Sequence, residues 1–222
     1  MLLAIHTASS QTRRPKLVVY LQTSIKPHAL QSALAQKLIG VDVIVLGRYR
    51  DFQRELESGP DAVVALGSVL DFCGLRADLH GTRGGQEMER YVLLSIGASI
   101  DRARFQSVAL GAVDLVGREG TGKFVARLLG LSAPPNITYV VKTEDLLPLL
   151  QFRSVEAVVV SEREAQGIKG LSVLDLKTTV LEGGVPLPGI AFRTPAGAQQ
   201  IKPKILMLDR DANRKLEVDG WR

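Results

Sequence analysis

The sequence has one cysteine, Cys73, among 222 residues, so an internal disulfide and any cysteine-built metal centre are excluded. Three histidines, His6, His28 and His80, stand apart with no HExxH-like spacing, and each is read as a surface or packed residue rather than a metal ligand. No apolar run approaches the eighteen or so residues that span a bilayer. Met1 to Ile5 is too short a block for the core of an export signal. Aromatic residues make up only 5% of the chain. The net charge of +5 is spread among nearly as many acids, and only Arg13, Arg14 and Lys16 cluster. Base stacking and a continuous phosphate-binding stripe both lack their side chains, which argues against nucleic acid as a partner.

What is present is an apolar content of 45%, enough for a substantial core, in an alternating order. KLVVYLQ (16–22) reads as a strand, followed by a polar Thr23-Ser24 turn and a helix over Pro27 to Leu38. Strands over 41–46 and 62–66 flank a helix begun near Asp51 and stopped at Gly59-Pro60. The segment from Gly81 to Arg90 reads as a charged, Gly-rich loop before a strand at 91–96, after which the rhythm restarts. Further strands are expected at 108–110, 113–116, 137–141, 155–160 and 171–176, with helices at 124–129 and 144–150. Strands and helices at this spacing predict parallel pairing with right-handed crossovers, an α/β architecture. Two such halves predict two lobes: 1–95 with 189–222, and 96–188.

Gly117 to Lys123, followed by Phe124, matches the phosphate-loop pattern until its last position. Glycines let backbone N–H groups converge on an anion at a helix start. Phe124 offers no hydroxyl for Mg²⁺, which weighs against a nucleotide hydrolase. An anion-binding helix start and a plain connector in which Thr121 caps its helix remain the alternatives. No nucleophile elbow or paired base is visible, so no enzyme, cofactor or metal is expected.

The segments LVVYLQTS, RYRDFQRELESGPDAVVALGS, VALGAVDLVGREGTGKFVARLLG, LLPLLQFRSVEAVVVSE and VPLPGIAFR together resemble the type II periplasmic solute-binding proteins, in particular the phosphate/phosphonate-type binding proteins of ABC transporters. The resemblance covers 16–221. It implies a two-lobed α/β fold with a hinge of two crossover segments, near 91–97 and 184–191. It also implies a small oxyanion in the cleft, delivery to ABC transporter membrane subunits, a periplasmic or other extracytoplasmic setting, and a monomer. Residues matching its ligand-binding turns are Thr23, Ser24, Ser68, Thr121, Gly122, Lys123 and Ser161. Each hydroxyl among them is equally readable as a turn or cap residue. A sensory or scaffold domain of the same fold, without tight ligand binding, is the other class this resemblance allows.

Overall fold

The computed structural model describes residues 13–222, so the expectations at Met1 to Ile5 and His6 lie outside the described residues. The first part of the chain runs β1 (Lys16–Tyr20), α1 (Pro27–Lys37), β2 (Asp42–Leu46), α2 (Tyr49–Glu57), β3 (Ala62–Leu66), α3 (Gly67–Phe72) and β4 (Leu79–Thr82). Next come β5 (Met88–Ile96), β6 (Leu110–Val113), α4 (Gly117–Leu129), β7 (Ile137–Val140), α5 (Leu146–Gln151), β8 (Ala157–Ser161), α6 (Glu162–Leu171) and β9 (Leu176–Pro186). The chain closes with β10 (Pro188–Phe192), α7 (Pro195–Leu206), α8 (Arg210–Lys215) and β11 (Gly220–Trp221).

Two sheets result. One has the order β11-β4-β10-β3-β1-β2 and the other β7-β6-β8-β5-β9. β1 is parallel to both β2 and β3, and β6 to both β7 and β8, as the alternating pattern predicts. Central strands covered on both faces are apolar at every position. In β1 this divides the packing: Leu17 and Val19 face α1 and α7, while Val18 and Tyr20 belong to a second core that continues into β5, β6 and β8 of the other sheet. The two sheets therefore share apolar side chains.

The chain passes between sheets twice, between Thr82 and Met88 and again at Leu187. The second passage lies between the ends of β9 and β10. The first comes earlier than expected, because Tyr91 to Ser95 pair with β8 and β9 and so sit in the second sheet. The Gly81 to Arg90 segment conceals the end of β4 and the charged start of β5. Arg90 and Glu89 keep β pairing with Gly184 and Val185 despite their charge. The expected strand at 171–176 is the end of α6 and a turn; the strand is β9, whose glycines and proline lie on an edge, where they are tolerated.

The Gly-rich segment also departs from expectation. Gly117 to Lys123 forms the first two turns of α4 itself, and the turn is Asp114 to Val116. Its glycines serve packing. A Cβ on Gly120 would lie 2.5 Å from the Phe72 ring of the first sheet's α3, and one on Gly122 would lie 3.1 Å from the Tyr139 hydroxyl. Close approach of two elements, not a phosphate cradle, is what these positions require.

Candidate functional site

The C-terminal ends of β1, β3, β6 and β8 converge from the two sheets on one cavity of about 70 Å³. Crevices outside the carboxyl ends of parallel strands are where α/β sheets hold ligands. Tyr20, Leu21 and Gln22 come from the end of β1, Leu66 and Val69 from β3 and α3, and Pro188 from β10. Opposite them stand Tyr91 of β5, Val113 at the end of β6, Leu115 after it, Phe124 of α4 and Val159 of β8. One end of the cavity is therefore apolar and aromatic.

That wall is firmly held. Tyr20 stacks on Phe52 with ring centroids 4.8 Å apart, and its hydroxyl donates to the Leu115 carbonyl across the junction at 3.0 Å. Burial drives the Tyr20 phenol well above its ordinary range, so it remains a neutral donor. Tyr49, beside it, is pushed up to about 12, chiefly by burial. Phe124 meets Tyr91 edge to face at 5.8 Å. The residue that breaks the phosphate-loop pattern is thus part of the cavity wall.

The other end is charged. Arg83, from the first passage between sheets, donates to Glu89 at 2.7 Å and lies 3.7 Å from Glu217 Oε2. Arg163 of α6 pairs with the same Glu217, tying the second sheet's helix to the C-terminal segment of the first. Glu164 lies alongside, holding the Ser161 N–H at 2.8 Å and the Thr143 hydroxyl at 3.0 Å. Burial raises the carboxyl groups of both Glu89 and Glu217, with the arginines opposing it. Glu217 sits at φ 65, a left-handed conformation rare for a residue with a side chain. It is the position directly after the Leu216 cap of α8, where helices commonly end in this conformation.

The residues expected from sequence are only partly brought together. Thr121 and Ser161 border the cavity, but their hydroxyls are committed. Thr121 Oγ1 accepts from the Leu115 and Val116 N–H groups at 3.0 and 3.1 Å and donates to Asp114 at 3.0 Å. Ser161 caps α6 in a reciprocal capping box with Glu164. Lys123 points outward and pairs with Glu119 one turn back, and Gly122 is buried in the helix. Ser24 is exposed, and Thr23 stands half-buried near Glu217 with its oxygen on the Ile25 N–H at 3.2 Å. Ser68 is buried in α3 with its hydroxyl unpartnered, away from the cavity lining. His28 and His80 are exposed.

Thr121→Val is therefore expected to act on stability. It strands two buried N–H groups, a loss of about 1–3 kcal/mol in urea unfolding, whereas Lys123→Ala should leave the midpoint unchanged.

Sequence reading missed Tyr20, Arg83, Glu89, Tyr91, Arg163 and Glu217. Arg83 and Glu89 carry a usable signal, charged residues flanking a passage between lobes. Glu217 lies 134 residues from Arg83 in a tail with no motif.

No protein-family model and no curated protein matches this chain. Solved structures do resemble it in shape. XAC2383 from Xanthomonas citri bound to ATP aligns at a TM-score of 0.66 and 15% identity, over 94% of this chain and 90% of that one. An amino acid ABC transporter substrate-binding protein from Streptococcus pneumoniae bound to L-arginine aligns at 0.59 and 16%, over 91% and 92%. The periplasmic VFT2 domain of BvgS from Bordetella pertussis aligns at 0.55 and 14%, over 92% and 93%. At these identities the likeness shows the fold, which is the two-lobed periplasmic-binding-protein fold.

Proposed function

We propose that this chain is a non-enzymatic solute-binding module that closes its two lobes on a small polar organic molecule. In an extracytoplasmic compartment it would hand that molecule to the membrane subunits of an ABC transporter. The lobes correspond to the two sheets, with the paired passages near 83–87 and 187 as the hinge. The observation that carries this reading is the cavity itself, walled by strand ends of both sheets, apolar at one end and charged at the other. A ligand there favours closure through contacts that only the closed arrangement completes. The pneumococcal protein of like fold is bound to L-arginine, which supports a small organic ligand for this one.

The oxyanion ligand expected from sequence is a second reading, favoured by Arg83 and Arg163 and by the ATP complex of XAC2383. It gains nothing from Thr121, Ser161 or Lys123, whose polar atoms are engaged elsewhere. The nucleotide-hydrolase alternative loses its premise, since Gly117 to Lys123 is helix. A cavity of about 70 Å³ is also far below the roughly 300–1,000 Å³ pockets of larger ligands.

Thermal-shift screening of amino acids, amines and oxyanions, followed by calorimetry, tests the reading. A true ligand at a hundredfold its Kd should add about 2.7 kcal/mol of stability. If no solute in such a panel stabilises the protein, the solute-binding reading fails.

A further inference from the structure

We infer that the solute taken by this cavity carries a protonated amine or guanidinium on a short apolar body. This rests on the solute-binding reading and narrows it to a chemical class. Three carboxylates, Glu89, Glu164 and Glu217, meet two guanidinium groups, Arg83 and Arg163, at the charged end. With all three ionised, the cluster carries one net negative charge in a half-buried setting, met in part by the Ser161 N–H and Thr143 hydroxyl that donate to Glu164. A cation from the ligand completes the balance; an anion would have to be held against it.

The hydrogen-bonding inventory points the same way. An oxyanion needs free N–H and O–H donors. Here the Thr121 hydroxyl is used by Asp114, and the Ser161 N–H by Glu164. Gln22 gives an amide N–H to the Tyr20 hydroxyl, and the remaining uncharged wall is aromatic or aliphatic, with Tyr20, Tyr91 and Phe124 offering ring surface to methylene groups and to a cation.

The same groups make binding pH-dependent. Glu217 is faced by Arg83 from the passage between sheets, by Arg163 and Glu164 from α6, and by Thr23 from the turn after β1. Glu89 is faced by Arg83, Arg163 and Glu164. Both carboxyl groups hold their protons to higher pH than an ordinary glutamate, because burial disfavours the charge. A cationic ligand needs them ionised. Affinity for it should therefore fall as pH drops through this raised range, with protons released on binding within that range and none above it.

Calorimetry on the intact chain decides the matter with n-butylamine, agmatine and L-arginine against inorganic phosphate, methylphosphonate and sulfate. The amines should bind, and Glu217→Gln and Glu89→Gln should each weaken them at least tenfold, with folding checked by circular dichroism. Lys123→Ala should bind like the native chain. Binding of the oxyanions alone, or amine binding indifferent to both Gln variants, overturns this inference while leaving solute binding intact. Binding of none of the six overturns it, and a failed wider solute screen would remove the solute-binding reading as well.

Discussion

Phe52→Ala should destabilise the protein by about 3–5 kcal/mol, the usual loss for emptying a large aromatic site in a core. The ring is fully buried, stacked on Tyr20 and tilted against Tyr49 at 6.2 Å. A loss of that size is a large part of the roughly 5–15 kcal/mol that holds a domain together. It should also loosen Tyr20, which carries the cross-junction hydrogen bond to Leu115. Urea unfolding of Phe52→Ala beside Phe152→Ala gives the comparison, since Phe152 is 80% exposed. The first should lose much of its stability and the second almost none. Equal midpoints would mean that α2 does not back the cavity wall as described.

Arg83→Met should cost about 3 kcal/mol near neutral pH, the low end of what breaking a buried ion pair costs, because a quarter of the Arg83 side chain is exposed. Its removal leaves Glu89 without its guanidinium and Glu217 with Arg163 alone. The sign of the pH dependence follows. A carboxyl group whose folded pKa lies above its unfolded value contributes less stability as pH rises through that window. Glu89 and Glu217 are already raised, and loss of Arg83 raises them further. The deficit of Arg83→Met should therefore shrink as pH falls and the two groups take up protons. Glu55 and Asp61, held low by hydrogen bonds from Lys16, behave oppositely and lose their contribution in acid. Adding Glu89→Gln to Arg83→Met should restore part of the loss. A deficit independent of pH would show that Arg83 acts through packing alone.

Most of the architecture was legible in the sequence because parallel strands buried on both faces leave an unmistakable apolar run. LVVY, VIVL and AVVAL are strands where they were expected. The strands β4 and β9 were not legible. β4 is four residues long, and β9 mixes threonine, glutamate and glycine, because an edge strand has little side-chain burial to satisfy. The glycines of 117–122 misled for a related reason. A Gly needed for φ freedom and a Gly needed for close approach look alike in a sequence, and only Gly117 has a positive φ. The site was hardest to read. Of its hydroxyl candidates, Ser161 caps α6, Thr121 lies inside α4 and ties down the turn before it, and Ser68 lies buried in α3. Its charged groups come from 83, 89, 163 and 217, which only folding brings together.

The most direct test of lobe closure on a solute is an electron-spin distance measurement. Labels at Arg48 and Lys142, which border one surface groove from opposite sheets, would be placed in a Cys73→Ala background. Without solute, the distances should spread to values longer than those of the closed arrangement, and the tightest-binding member of the panel should collapse them to a single short distance. An unchanged distribution at saturating solute would contradict the account.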